Sequence, residues 1–151
     1  MVNHVYKVKY SKSSLELNND YENLSDFEKE SLSELDALSF FDFEEDQKYT
    51  CYIITTPLEL KKYSKILLNN LIIHECFDLS ENILSGKLDI ENETRNKIDN
   101  FNFLKYEFFI DDINDWIYEN LEIDIVLDRI NEVGMDSLKD IEKLFLKQYS
   151  K

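Results

Sequence analysis

The chain has 151 residues, 32 of them acidic and 17 basic, so its formal net charge is −15 at neutral pH. That length corresponds to about one domain, and 43% apolar with 13% aromatic residues excludes disorder over most of the chain. The negative charge argues against a protein that binds DNA, RNA or an anionic lipid surface, because such a partner would repel it. No apolar run could span a membrane and the first residues carry no secretory signal, so the sequence predicts a cytoplasmic protein.

A predicted strand and an acidic insertion open the chain. His4–Tyr10 alternates in character and is rich in valine and tyrosine, which favours a strand. Residues 11–48 form the insertion, and positions 13–47 within it hold 12 acids and one base. A capping-box spacing at Ser25 predicts one helix near 26–38, and we expect irregular structure in the rest of the insertion.

The next segment has the pattern of a βαβ unit. Tyr49–Thr55 is β-branched and aromatic, as in a strand. Thr56 suits a helix N-cap, Pro57 the first helical position, and Glu59 the closing position of a capping box. A second strand is predicted at Leu71–Phe77. Strands joined through a helix are expected to run parallel with a right-handed crossover.

Helices dominate the predicted C-terminal part. Asp78–Ser85 suits a short helix that ends at Gly86, and the alternation in Phe101–Phe109 predicts a further strand. From Ile110 onward the apolar period is helical, and Gly134 is placed to end a helix in a left-handed conformation. A last helix is expected to follow Gly134, with Leu138, Ile141, Leu144 and Phe145 on its buried face.

These elements predict a mixed α/β (α+β) fold. We expect a small sheet of about four strands that contains one βαβ unit, and a C-terminal helical hairpin. Residues 1–109 would form the core, with the acidic insertion at about 11–48. Residues 110–151 would be a helical segment packed on that core, within a single domain overall.

Few residues suggest catalysis or metal binding. Cys51 and Cys76 lie in apolar strand-like runs, which favours buried reduced thiols. His74, Cys76 and Cys51 make a zinc site conceivable, but structural zinc needs four ligands and His4 lies on another strand. A Cys76–His74 nucleophile pair would need an oxyanion cradle that nothing in the sequence supplies. We therefore predict no enzyme, no catalytic residue, no metal and no cofactor.

The distribution of charge points to a partner. Residues 110–128 hold seven acids and no base, in addition to the acidic insertion. Acidic residues around aromatic anchors are suited to meeting a basic protein quickly and holding it. The aspartates near 111–115 equally suit favourable charge at a helix N-terminus. The predicted partner-binding residues are Asp42, Phe43, Glu44, Glu45, Asp46, Asp111, Asp112 and Asp115.

The C-terminal stretch resembles a known tail. Val126–Leu138, continued by Glu142-Lys143-Leu144-Phe145-Leu146, is similar to the C-terminal tail of many Bacteroidetes proteins, rhomboid-family ones among them, with the pattern ILDKI…G…SL…E…FL. It covers about 25 of the 151 residues. The resemblance implies a Bacteroidetes-type origin and a small helical docking element, with no catalytic residue. Rhomboid activity is not implied, since the chain has no rhomboid membrane region.

Two functions follow as expectations. The first is a non-enzymatic acidic binding protein that masks a basic partner, such as an immunity protein against a toxin or an inhibitor of a nuclease or other nucleic-acid-binding protein. It would touch neither nucleic acid nor membrane itself. The alternative is a small cytosolic regulatory or adaptor domain that binds a protein or small ligand at the βαβ strand ends, around Thr55, Thr56 and residues 77–80. An ordinary acidic protein without such a role remains the plainer interpretation.

Overall fold

A four-stranded antiparallel sheet organises the N-terminal half of the chain. The computed structural model describes residues 2–150, which divide into two compact units, residues 2–79 and 80–150. We refer to them as the N-terminal and C-terminal units. The N-terminal unit consists, in chain order, of β1 (His4–Tyr10), α1 (Ser14–Glu22), α2 (Asp26–Ser33), β2 (Ala37–Glu45), β3 (Lys48–Thr55), α3 (Pro57–Asn69) and β4 (His74–Asp78).

The order of the strands in the sheet is β2-β3-β1-β4. Strand β1 is antiparallel to both β3 and β4, so β3 and β4 run parallel to each other with β1 between them. The βαβ unit is therefore split by an inserted strand. The mixed fold class and the number of strands are confirmed, with helices at the C-terminal end.

One face of the sheet forms the core of the N-terminal unit. Side chains alternate across a strand, so Tyr6, Val8 and Tyr10 of β1 point to the same side. They are buried there with Cys51 and Ile53 of β3. Helix α3 covers this face with its own buried leucines, Leu60 and Leu67.

The acidic insertion is more regular than predicted. It holds two helices and a whole strand, and only the helix that begins after Ser25 was expected. The capping box between Ser25 and Glu28 is confirmed, but α2 ends at Ser33 because the chain turns into β2 at Ala37. Strands β2 and β3 form a hairpin with a two-residue turn, in which Asp46 (φ 54°) and Gln47 (φ 62°) both have positive φ, as type I′ turns require.

Helix α3 begins as its sequence predicts. The Thr56 hydroxyl accepts a hydrogen bond from the Glu59 backbone N–H at 3.3 Å, and Pro57 occupies the first turn. The carboxylate of Glu59 was expected to close a capping box. It instead accepts from the backbone N–H of Asp36 at 3.3 Å and from Lys62 at 3.1 Å, so it ties α3 to the segment before β2.

The C-terminal unit is helical throughout its regular structure. The strand predicted at Phe101–Phe109 is wrong, because this segment is mostly helix. Tyr106, Phe109, Ile113 and Trp116 recur at helical spacing and are all buried, so tertiary burial favours the helical period over the alternation. The elements are α4 (Ser80–Leu84), α5 (Ile90–Thr94), α6 (Phe103–Asn120), α7 (Ile123–Val133) and α8 (Asp140–Tyr149), with 3-10 turns at Arg95–Lys97 and Met135–Ser137.

A buried ion pair joins α7 to α8. Nε of Arg129 donates to Oε2 of Glu142 at 3.3 Å, and the two side chains are 13% and 4% exposed. The backbone N–H of Lys139 donates to the other carboxylate oxygen at 2.9 Å. The face predicted to be buried on the last helix is thus partly wrong, since Leu144 is 45% exposed while Glu142 is 3% exposed.

The predicted domain boundary and the predicted end of α7 can be compared with the structure. The predicted boundary between residues 109 and 110 lies inside α6, and the packing of a C-terminal segment on the core stays a prediction. Gly134 ends α7 as predicted and has positive φ (83°), but its ψ of 160° is extended and differs from the left-handed helical conformation that was expected. Over residues 2–150, none of the helices has the length and apolarity that crossing a membrane requires.

Candidate functional site

The predicted acids of the β2–β3 hairpin are partly engaged within the N-terminal unit. Asp42 accepts a hydrogen bond from the Tyr49 hydroxyl at 2.7 Å. Glu44 accepts from the hydroxyl of Ser14 at 2.6 Å and from its backbone N–H at 2.8 Å. These hydrogen bonds from Ser14, the hydroxyl first, lower the pKa of Glu44 below its ordinary value. Both carboxylates therefore have structural partners.

The predicted aromatic anchor of the hairpin is packed against the sheet. The ring of Phe43 is half-buried, with its centroid 5.9 Å from that of Phe41 and 6.0 Å from that of Tyr52. Glu45 is half-buried and lies opposite Lys48 in the ladder, while Asp46 is exposed in the turn. The hairpin therefore presents charge to solvent but no exposed aromatic ring.

Helix α6 carries the other predicted acids. Because α6 begins at Phe103, Asp111, Asp112 and Asp115 lie in its middle and not at its N-terminus. Asp111 and Asp115 are exposed, and Asp112 is half-buried on the flank. Asp111 and Asp115 form a row at a spacing of four residues, together with two acids that were not among the predicted binding residues. We call this row the acidic stripe, and it consists of Glu107, Asp111, Asp115 and Glu119, all exposed.

Residues four apart lie on one side of an α-helix, so the acidic stripe runs along α6 for about 18 Å. Like charges at this spacing destabilise an isolated helix by about 0.2–0.5 kcal/mol per pair. No basic residue occurs between positions 106 and 128 to offset this repulsion. The stripe therefore lowers the stability of the helix that carries it.

Exposed apolar side chains lie on the same side of α6. Leu104 is 64% exposed and Phe108 is 68% exposed, and their helical positions fall between those of the striped carboxylates. Phe101, just before the helix, is 99% exposed. Sequence reasoning missed these side chains because it assigned them to a strand. Their spacing of four residues beside Glu107 and Asp111 was the available signal.

The conceivable zinc ligands are not brought together. Cys51 of β3 and Cys76 of β4 both pair with Val8, from opposite sides of β1. The two cysteines were expected on neighbouring strands, but β1 separates them. Over residues 2–150, no group of three histidine, cysteine or acidic side chains is arranged to hold a metal ion. Cys51 is buried as predicted, whereas the prediction for Cys76 is wrong, since it is exposed on the edge strand β4.

The two thiols are expected to react differently. In the folded protein a thiol reagent should modify Cys76 and spare Cys51, although partial burial raises the pKa of Cys76 and slows the reaction. Counting modified thiols before and after denaturation should give one and then two. A Cys76→Ser variant should give none in the folded state, and modification of that folded variant would contradict the burial of Cys51.

His74 is paired with a serine and not with Cys76. Its Nδ1 donates to the carbonyl of Ile72 at 3.0 Å, which leaves Nε2 to accept from the Ser64 hydroxyl at 2.7 Å. Ser64 lies inside α3, where backbone N–H groups are engaged in helical hydrogen bonds. Such a position offers no pair of N–H donors for an oxyanion, so this pair has a structural role.

The predicted βαβ strand ends are occupied by structural hydrogen bonds. The Thr55 hydroxyl is buried and donates to the carbonyl of Asp36 at 2.6 Å, and Thr56 caps α3. No protein-family model, curated protein or solved structure matches this chain at a significant level. Function is therefore inferred from the geometry of the described residues, and the similarity of the C-terminal hairpin to Bacteroidetes tails stays a prediction.

Proposed function

We propose that this protein is a non-enzymatic binding protein that masks a basic protein, and that the exposed side of α6 is its main contact surface. The observation that supports this most is the combination of two exposed apolar side chains, Leu104 and Phe108, with the four carboxylates of the acidic stripe. Exposed apolar residues set among like charges are typical of contact surfaces for an oppositely charged partner.

The charge would act before contact and the apolar side chains after it. A net charge of −15 attracts a basic partner from a distance and raises the rate of association. The Debye length is about 8 Å at physiological ionic strength, so added salt should weaken this attraction. Once the surfaces meet, Phe108 would be buried and desolvated, and we expect it to control the rate of dissociation.

The proposed partner class is a basic toxin, nuclease or nucleic-acid-binding protein, met in the cytoplasm. The stripe presents one carboxylate per about 6 Å of helix, which is sparser than the one phosphate per about 3.4 Å of a DNA strand. The stripe therefore fits electrostatic steering and occlusion better than close imitation of a nucleic acid. On the N-terminal unit, Glu45 and Asp46 would add to the field.

The test compares capture by the full chain and by two charge-matched variants. Tagged protein is incubated with lysate of its own cells at low and at high salt, and captured proteins are identified by mass. The stripe variant replaces the acids of α6: Glu107→Gln, Asp111→Asn, Asp115→Asn and Glu119→Gln. The control variant makes the same change of net charge at exposed acids of the N-terminal unit: Glu22→Gln, Asp26→Asn, Glu30→Gln and Glu34→Gln.

We expect the wild type and the control variant to capture the same basic protein at low salt, and the stripe variant to associate with it at least about tenfold more slowly. Equal losses in both variants would mean that net charge alone matters and that α6 is not the surface. Capture that is insensitive to salt, or of acidic proteins only, would contradict the proposal as a whole.

Phe108 can be tested against a matched phenylalanine. With the captured partner purified, Phe108→Ala should raise the dissociation rate by about 30-fold, as expected for a central interface residue contributing about 2 kcal/mol. The control is Phe27→Ala, whose ring on α2 is 78% exposed. A similar change in both variants would show that Phe108 is not the anchor.

A further inference from the structure

A cavity opens on the helix-covered face of the sheet in the N-terminal unit. Its volume is about 330 Å³, within the range of small-molecule sites in proteins, about 300–1,000 Å³. Of its lining residues, Tyr10, Leu67 and Ile72 are buried, while Leu17 of α1 and Leu32 of α2 are partly exposed. The proposed function makes no use of this cavity.

The polar lining of the cavity holds four tyrosines and one carboxylate, together with Ser14 and Asn18. The hydroxyls of Tyr10 and Tyr63 are hydrogen-bonded to each other, and the Tyr49 hydroxyl donates to Asp42 at 2.7 Å. The rings of Tyr10 and Tyr49 have centroids 5.1 Å apart and are tilted by 56°. Among the residues that line the cavity, Asp42 is the only aspartate, glutamate, lysine, arginine or histidine.

Tyr49 and Tyr63 do not add negative charge near neutral pH. Burial raises the pKa of Tyr63, and burial followed by the hydrogen bond to Asp42 raises that of Tyr49. Both therefore remain neutral phenols with electron-rich rings. The cavity thus combines aromatic rings, one carboxylate and apolar leucine walls, with no basic side chain in its lining.

We propose that this cavity binds a small organic cation with an apolar body, of the amine or methylated ammonium class. Aromatic rings attract a cation through the negative potential of their faces, and rings around an ammonium group are a recurrent means of recognising it. The carboxylate of Asp42 would supply the opposite charge, and Leu17 and Leu32 would contact the body of the ligand. An anion would be repelled by Asp42, and a neutral ligand would gain nothing from its charge.

The first experiment uses a pair of probes that differ in charge and share a shape. The full chain is titrated with choline and with 3,3-dimethylbutan-1-ol, in which a carbon atom replaces the ammonium nitrogen, and binding is followed by calorimetry. We expect choline to bind at least about tenfold more tightly, because the alcohol lacks the cation–π and charge interactions. Equal affinities, tighter binding of the alcohol or binding of neither probe would overturn the proposal.

Two variants locate the site. Asp42→Asn keeps an acceptor for the Tyr49 hydroxyl, so the fold is preserved, and it should weaken choline binding about tenfold while leaving the alcohol unchanged. Leu32→Trp places a larger side chain in the lining, so it should fill much of the cavity and abolish binding of both probes. Its control is Leu15→Trp, a change at an exposed position of α1 outside the lining. Wild-type binding by Leu32→Trp would overturn the assignment to this cavity.

A free ammonium compound and a methylated lysine side chain share this chemistry. A short peptide with one trimethyllysine is therefore titrated beside choline, with the unmethylated peptide as its control. Tighter binding of the methylated peptide would identify a protein side chain as the source, and tighter binding of choline would identify a free metabolite. These titrations and the capture experiment are independent, so failure of the cavity proposal leaves the proposed function of α6 standing.

Discussion

Replacing Arg129 with methionine is expected to destabilise the C-terminal unit by about 3–5 kcal/mol, because the carboxylate of Glu142 would remain buried without its cation. The Glu142 side chain is only 4% exposed, so water cannot take over the role of the guanidinium. Domains are stable by about 5–15 kcal/mol in total, so this loss is a large part of the unit's stability. Urea unfolding measures it, followed by the fluorescence of Trp116, the only tryptophan and buried in α6 of the same unit.

Two variants separate the ion pair from simple loss of packing. Adding Glu142→Met to Arg129→Met removes the uncompensated charge, so the double variant should recover more than half of the lost stability. Lys143→Met, at an exposed position of α8, should change stability by less than about 0.5 kcal/mol. A double variant as unstable as Arg129→Met alone would show that packing, and not charge, explains the loss.

Gly86 gives an independent way to disturb the same pair. It has φ 78°, and a Cβ atom there would lie 2.4 Å from Cζ of Arg129. Gly86→Ala should therefore both strain the backbone and push the guanidinium away from Glu142. Gly134→Ala is the comparison, since Gly134 has φ 83° but no neighbouring atom within 4 Å of a new Cβ. We expect the larger destabilisation at Gly86.

The N-terminal unit is expected to unfold cooperatively as the pH rises above about 10, the ordinary pKa of tyrosine. Burial raises the pKa of Tyr49 and Tyr63 in the folded state, so the folded protein holds these protons more tightly than the unfolded chain. Stability from this difference is fully present below the unfolded pKa and is lost as the pH rises towards the folded pKa. Each tyrosine should remove about 1.4 kcal/mol per pH unit above that point.

Phenolate absorbance and far-ultraviolet circular dichroism, recorded together against pH, test this expectation. Tyr49→Phe or Tyr63→Phe removes one buried phenol. Either variant should therefore lower the slope of unfolding free energy against pH by about 1.4 kcal/mol per pH unit, which corresponds to one proton. Tyr21→Phe is the control, because the Tyr21 side chain is 44% exposed. If all tyrosines ionised at a pH well below the pH at which secondary structure is lost, the burial of these phenols would be contradicted.

The sequence predicted helix ends correctly where the stabilising contacts join residues that are close in sequence. Thr56 and Pro57 predict the beginning of α3, Ser25 and Glu28 predict that of α2, and Gly134 predicts the end of α7, all as observed. Each of these signals is satisfied within one helical turn, so nothing distant is needed to form it. The β-branched and aromatic pattern of Tyr49–Thr55 also predicts its strand correctly, although that strand is completed by pairing with β1 and β2.

Long-range pairing determined the elements that the sequence did not reveal. β2 interrupts its own alternation at Phe40 and Phe41, has a register shift near Ala37, and is acidic, so it is a strand chiefly because β3 pairs with it. Residues 101–109 alternate as in a strand, but the same stretch also holds Tyr106 and Phe109 at the spacing of three to four residues that continues to Ile113 and Trp116. A helix buries both Tyr106 and Phe109 in the C-terminal unit, and this burial favours the helix over a strand.

The sequence by itself determined the composition of the candidate sites, and the tertiary structure decided which residues could act in them. The excess of acids and the high share of apolar and aromatic residues follow from residue types alone. Exposure and distance do not, because they depend on which faces of distant elements become buried. Folding therefore turned Phe43 against the sheet, placed Asp42 beside tyrosines in a cavity, and left Phe108 exposed beside the acidic stripe of α6.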